Sequence, residues 1–258
     1  MTLHRFFLEG ALPEDGSCGV ELQTSESDRH HMARVLRLGP GDRIIVADPD
    51  SREAEATLVS ASSERVTADI GPAIERPRQP CVVLAAGIAR RERMEFTIQK
   101  ATELGVTEIW PLASARCVVR LDEDRAGRRG DRWRRIAEEA AKQSQRSEVP
   151  VVREPMSVDA LLVEAGRFDV VLVPWEEAAS TAVGIGAALD AEDATADASV
   201  LVVVGPEGGF ETAEVDALQD AGARIVSLGS TVLRTETAAM VAVAITAYEL
   251  GALGGRGR

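Results

Sequence analysis

Val200-Leu-Val-Val-Val-Gly-Pro-Glu-Gly-Gly-Phe210 is the stretch whose reading decides the fold. Its first five residues are apolar and four are valine, which suits a short strand buried on both faces. Three glycines and a proline then stop the run. A backbone-exposing loop at the carboxyl end of a parallel strand is where open α/β sheets bind ligands. Taken alone, the loop reads equally well as a tight structural turn.

Outward from that stretch, strand-like runs at Val82–Ile88, Glu108–Leu112, Val170–Pro174 and Arg224–Leu228 alternate with helical ones. The helical stretches are Arg91–Leu104, 131–146, 157–165, 211–221 and 236–250. This alternation predicts an α/β fold with a mostly parallel sheet covered on both faces. In Arg91–Leu104, the residues Met94, Ile98, Ala101 and Leu104 share one side, and Gly105 is placed to end the helix. A second strand-to-helix loop runs Leu228-Gly-Ser-Thr-Val-Leu-Arg-Thr-Glu-Thr-Ala-Ala239. There Thr235 is placed to cap a helix starting near Glu236, whose charge suits a first turn. That helix is apolar nearly all round from Ala238 to Ala247. At about ten residues it is too short to span a bilayer, so either a central position in the core or a partner subunit must cover it.

The first 75 residues have a different pattern. Arg43–Asp48, Glu53–Ala61 and Arg65–Ile70 are short runs between Gly, Pro and Asp turns, as in a small β-barrel. One helix interrupts them, with Ser25 or Ser27 as its cap and Met32, Val35 and Leu36 on one face. Arg34 and Arg37 fall outside that stripe. The polar stretch Glu75–Pro80 is the expected linker, dividing a domain 1–75 from a domain 76–258. Asp190–Ala198 reads as a solvated acidic loop.

The chain has 258 residues, 29 basic and 42 acidic, for a net charge of −13. Such acidity at face value argues against nucleic acid or an anionic membrane as partner. The charge is unevenly spread. Residues 1–75 hold seven basic and 14 acidic groups, residues 76–153 hold 17 and 11, and residues 154–258 hold five and 17. The middle segment is therefore basic, either as a solvated helical face or as a docking surface, since local potential decides where a polyanion binds. The N-terminal MTLHRFFLEG lacks a secretory h-region, and no apolar run approaches a membrane span. Cys18, Cys81 and Cys117 are far apart, and His4, His30 and His31 are the only histidines, so no disulfide framework or metal site is expected. P-loop, GxGxxG and GxSxG patterns are missing. A soluble cytoplasmic protein is expected.

Six ordered stretches resemble one family. They are His31-Met-Ala-Arg-Val-Leu-Arg-Leu-Gly-Pro-Gly-Asp42, Arg93-Met-Glu-Phe-Thr-Ile-Gln-Lys-Ala-Thr-Glu-Leu-Gly-Val106, Ser114-Ala-Arg-Cys-Val-Val119, Ala140-Ala-Lys-Gln-Ser-Gln-Arg146, Val204-Gly-Pro-Glu-Gly-Gly-Phe210 and Leu228 through Ala238. Together they resemble the RsmE family of bacterial 16S ribosomal RNA uridine-N3 methyltransferases in the SPOUT superfamily. The resemblance covers nearly the whole chain. It implies an N-terminal PUA-like barrel that helps hold RNA, and a C-terminal α/β domain threaded into a trefoil knot, a topology general rules would not propose. It also implies a homodimer, with S-adenosylmethionine bound in the knot and 16S rRNA of the 30S subunit as substrate. Gln145 departs from the family pattern, which usually has glycine there.

By resemblance, the backbone of Gly205, Pro206, Glu207, Gly208, Gly209, Leu228, Gly229 and Leu233 clamps the cofactor, with Pro174, Trp175 and Thr235 beside it. Glycines suit this because a ligand can approach a backbone that has no Cβ. Methylation at N3 requires removal of a proton, and Glu236 is the first choice of base, with Glu207 next. The bland role of Glu236 is a favourable charge at a helix N-terminus. Arg234 is placed to stabilise a developing uracil oxyanion. Lys100 and Arg90 are candidates for contacts to the RNA backbone or base, and Arg34, Arg37, Arg116 and Arg146 for phosphate grips. Two other readings are a related methyltransferase acting at another RNA position, such as a ribose 2′-hydroxyl, and a non-catalytic ribosome-assembly factor. Bulk acidity alone favours a third, a metabolite-binding α/β protein.

Overall fold

The computed structural model describes residues 3–50, 52–74, 80–117, 123–178 and 181–254. The expected linker lies outside them except for Pro80, as do Val118 and Val119 of the Ser114–Val119 stretch. The chain forms two units, Met1–Pro77 with Ala141–Glu148, and Arg78–Ala140 with Val149–Arg258.

In the first unit, strands β1 (His4–Phe7), β2 (Val20–Glu21), β3 (Arg43–Ala47), β4 (Glu53–Ala61) and β5 (Val66–Ile74) form a mixed sheet of order β1-β3-β4-β5-β2. Apolar residues alternate inward along it, with Ile44 and Val46 on β3 and Val66, Ala68 and Ile70 on β5. Register shifts between Ala54 and Ala56 and between Leu58 and Ser60 curl the β4–β5 ribbon. An antiparallel bridge between Leu8 and Thr24 joins the ends of the two edge strands, so the sheet closes on itself. Closure removes the exposed edges that would otherwise template aggregation.

Ser25 is the cap of α1 (Glu26–His30), its hydroxyl accepting from the Asp28 amide at 3.1 Å. The helix then widens into a π-turn over His31–Val35. Met32 is buried and Leu36 packs on the core, but Val35 is 61% exposed. The expected three-residue stripe is thus broken, because the i→i+5 spacing rotates Val35 off the face that a 3.6-residue period assigns to it. Ala141–Glu148 belongs to this unit through Lys142, whose Nζ meets the buried Asp28 carboxylate at 2.6 Å.

The second unit is α/β. Strands β6 (Cys81–Gly87), β7 (Glu108–Ala113), β8 (Val151–Val152), β9 (Met156–Ser157), β10 (Val170–Pro174), β11 (Ser199–Val204) and β12 (Arg224–Val226) make an all-parallel sheet. Its order is β12-β10-β11-β6-β7-β8, with β9 also on β7. Val200, Val202 and Val204 enter one hydrophobic cluster while Leu201 and Val203 enter the other, so β11 is buried on both faces. The first cluster draws on α2 (Arg91–Glu103), α3 (Glu123–Gln143), α5 (Ile185–Ala191) and α7 (Thr235–Glu249); the second draws on α4 (Val158–Ala165) and α6 (Thr212–Asp220).

Three sequence expectations need correcting here. Helix α5 takes in the start of the acidic stretch, and Ala194 and Ala198 within that stretch are buried. Ala194 and Ala198 turn inward while Asp190, Asp193 and Asp197 face water, so composition alone hides the packing. Thr235 is the first helical residue of α7 rather than its cap; Arg234 holds the cap position, with no side-chain cap bond. Finally, α7 is not buried all round in the single chain. Ala239, Ala242, Val243, Thr246 and Ala247 are buried, Met240, Val241, Ala244 and Ile245 are half-buried, and Tyr248 is exposed.

Candidate active site

Because the strands of the second unit are parallel, their carboxyl ends share one edge of the sheet, and the loops that leave them meet there. β11 leads into Gly205–Phe210, β12 into the segment before Thr235, β10 into Trp175 and Glu176, and β6 into Gly87–Arg90. The loops enclose two adjoining cavities of about 120 and 260 Å³. Pro174, Trp175, Leu228, Gly229 and Leu233 line the smaller one. Gly205, Pro206, Glu207, Gly209, Arg234 and Thr235 line the larger one, together with Pro174 and Leu233.

Two glycines set this geometry. A Cβ on Gly87 would stand 2.2 Å from the Pro206 nitrogen, so the end of β6 touches the first loop backbone to backbone. Gly209 has φ +71°, and a Cβ there would come 2.8 Å from Glu176 Oε1. Positive φ costs a non-glycine residue roughly 1–2 kcal/mol, so the conformation favours glycine at 209, whereas the Glu176 side chain could move aside.

The charges converge on Arg93, on the first turn of α2. Its Nη1 lies 3.4 Å from Glu207 Oε1, and its Nε lies 3.8 Å from Glu236 Oε1. Glu207 Oε1 also accepts from the Arg90 backbone N–H at 3.2 Å. The second oxygens, Glu207 Oε2 and Glu236 Oε2, are buried without a hydrogen-bond partner, and so is Trp175 Nε1. A buried polar atom left unpaired costs about 1–3 kcal/mol, and two of these three, on Trp175 and Glu207, belong to residues lining the cavities, which marks a place able to receive polar groups.

Arg116 also reaches the first loop. Its Nη1 is 3.4 Å from the Gly208 carbonyl and its Nε 3.9 Å from Glu211. A Cβ on Gly208 would meet the Arg116 carbonyl oxygen at 3.0 Å. Lys100 lies two turns beyond Arg93 on α2, where it pairs with Glu103 at 2.7 Å and stands 6.0 Å from the Phe96 ring centre. The remaining predicted arginines belong to the first unit. Arg34 and Arg37 are exposed there. Arg146 is only 11% exposed in its side chain and 3.6 Å from Glu148, and burial lowers its pKa from the usual guanidinium value. Gln145 has φ +59°, a conformation that glycine adopts without strain. Among the described residues, no group of three His, Cys, Asp or Glu side chains is placed to hold a metal.

Comparison with known proteins gives the family of the chain. The profile of an RNA methyltransferase PUA domain matches residues 25–71, and that of an RNA methyltransferase domain matches residues 76–247. Ribosomal RNA small subunit methyltransferase E of Bacillus subtilis is 36% identical over 255 residues, spanning 98% of this chain and 99% of its own. The chain belongs to the ribosomal RNA small subunit methyltransferase E family. The methyltransferase E of Mycobacterium bovis is 35% identical over 92% of this chain and 88% of its own length. A crystal structure of methyltransferase E from Neisseria gonorrhoeae bound to S-adenosyl methionine aligns with TM-score 0.79 at 30% identity, covering 95% of this chain and 97% of that one. A Legionella pneumophila structure in complex with the bound cofactor SAM aligns with TM-score 0.81 at 29% identity, over 98% of both chains.

Arg93, Glu176 and Gly87 were not singled out from the sequence, although Arg93 opens one of the stretches that resemble the methyltransferase E family. An arginine in the first turn of an amphipathic helix carries no local signal. Its meaning comes from the two glutamates, 114 and 143 residues away in sequence, that strand order brings to it.

Proposed function

We propose that this chain transfers a methyl group from S-adenosylmethionine to N3 of a uridine in 16S rRNA, acting on the assembled 30S subunit as a cytoplasmic homodimer. The observation that carries this reading is the meeting of the two glycine-containing loops at one pair of cavities, with Glu207 and Glu236 both facing Arg93. The residues fit the cofactor. Gly205 and Gly209 line the larger cavity with backbone that carries no side chain, and Trp175 Nε1, beside the smaller one, is a buried donor without a partner. When bound, S-adenosylmethionine supplies a methyl group on a positively charged sulfur, and attack in line by a deprotonated ring nitrogen completes the transfer.

The chain's own part is to orient the base and manage charge. Glu236 takes the N3 proton, with Arg93 fixing the direction of its carboxylate; Glu207, held by the same arginine, is the alternative. Arg234, exposed at the start of α7, stabilises the charge that develops on the uracil oxygens. Arg90 and Arg116 border the first loop and grip phosphates without reading sequence, as Arg34 and Arg37 do from the PUA domain. The pairing of Lys100 with Glu103 and the burial of Arg146 make these two the weaker grips. The half-buried apolar residues of α7 supply the dimer face, and the passage from β12 into α7 is the threaded segment of the knot.

The test is incubation with methyl-labelled S-adenosylmethionine and 30S subunits lacking the modification, followed by nucleoside mapping. Labelled 3-methyluridine in 16S rRNA is the expected product. A 2′-O-methylated nucleoside, or cofactor binding without transfer, would overturn it in favour of another position or of an assembly factor.

A further inference from the structure

Glu176 stands where the two cavities join. Five residues line both of them, Pro174, Glu176, Val232, Leu233 and Ala238, and only Glu176 is charged. The smaller cavity has no other charged residue in its lining. The larger one is also lined by Arg93, Glu207 and Arg234, and there Arg93 is taken up by Glu207 and Glu236. Among the described residues no cation pairs with Glu176. Glu176 is exposed and begins the 3₁₀ turn Glu176–Ala178 one residue after β10, and its Oε1 lies 2.8 Å from where a Cβ on Gly209 would stand. A carboxylate lining a ligand cavity with no counter-ion attracts positive charge, the more so when a ligand displaces the water around it.

We infer that Glu176 is a specificity-determining residue, whose carboxylate faces the positive charge of the bound cofactor and makes the site prefer the charged methyl donor to the uncharged product. This rests on the S-adenosylmethionine reading above. Methyl transfer leaves the bonding electron pair on sulfur, so the sulfonium becomes a neutral thioether and the ligand loses one unit of positive charge. A nearby carboxylate then loses its attraction to that atom, which favours exchange of product for fresh donor. S-adenosylmethionine also carries an α-ammonium group, which the product retains, so the two cations can be told apart.

The experiment is calorimetric binding of three ligands to the full-length chain and to Glu176→Gln. The ligands are S-adenosylmethionine, S-adenosylhomocysteine, which keeps the ammonium but not the sulfonium, and methylthioadenosine, which has neither. Loss of one partly screened charge pair predicts about tenfold weaker S-adenosylmethionine binding. S-adenosylhomocysteine and methylthioadenosine should bind as to the parent, and Glu176→Asp should recover part of the loss. Glu177→Gln, which alters the exposed neighbouring residue, controls for a general change in charge. Equal weakening of S-adenosylmethionine and S-adenosylhomocysteine would overturn the inference, because the carboxylate would then be reading the ammonium. Unchanged binding of all three, or equal weakening of all three, would overturn it as well. If the unaltered chain binds none of them, the cofactor reading itself fails, a result distinct from failure at Glu176.

Discussion

Gly87 at the end of β6 meets Pro206 in the first loop so closely that a Cβ on Gly87 would lie 2.2 Å from the proline nitrogen and 2.7 Å from its Cα. Both obstructing atoms are backbone, so no rotamer change can relieve the clash. Gly87→Ala must therefore push the 205–209 loop away from the sheet. We expect a stability loss of at least about 1–3 kcal/mol by denaturant unfolding, and loss of S-adenosylmethionine binding by calorimetry. Parent-like stability and affinity would show that the loop is not held by this contact.

The carboxylate of Glu236 points at Arg93 and keeps one oxygen buried without a partner. Glu236→Gln retains the shape but cannot take a proton. The expected result is a fall in kcat of about 10²–10⁴-fold with unchanged cofactor affinity. Near-normal turnover would transfer the proton to Glu207, and Glu207→Gln is the companion measurement.

Asp48 gives the first unit an acid-sensitive element. Burial pushes its pKa up, but the amides of Leu12 and Arg52 and the Arg52 side chain outweigh burial and hold the carboxyl below its ordinary value. A depressed folded pKa contributes stability that is fully present above the unfolded value of about 4 and disappears as pH falls through the lower folded value. Thermal unfolding between pH 7 and pH 2 should show this unit weakening below about pH 4. In Asp48→Ala the unit should be about 1–3 kcal/mol less stable at neutral pH and lose part of that acid dependence.

RNA binding should depend steeply on salt despite the net charge of −13, because each neutralised phosphate releases counterions. Arg116, beside the Gly208 carbonyl, is one proposed contact. Arg116→Ala should lower the slope of log affinity against log salt by about one, without changing which nucleotide is methylated. A flat salt response in the parent would remove the basic segment from the docking surface.

How far the sequence carries the fold is clearest in β11. Its valines and leucine are legible as a two-faced strand because burial on both faces demands an unbroken apolar run, and they do divide between two clusters. The positions of the two loops were also legible, since glycine ends each apolar run, but the sequence around each loop alone did not tell a ligand loop from a structural turn. Other features were hidden by local geometry. Val35 lost its place in the core to a π-turn, which no local residue pattern announces. Arg146 reads as a free cation in sequence but is mostly buried near Glu148.

The sequence by itself determined the alternation of strands and helices, the parallel sheet that follows from it, and the positions of the two loops. These rest on hydrophobic periodicity and backbone chemistry, which act over a few residues at a time. Only the tertiary structure decided that Arg93 faces Glu207 and Glu236, that Glu176 joins the two cavities, and that Gly87 must stay bare for Pro206 to approach. Those contacts are set by the order in which strands lie side by side. Strand order is chosen by the packing of the whole sheet, and no local stretch of sequence encodes it.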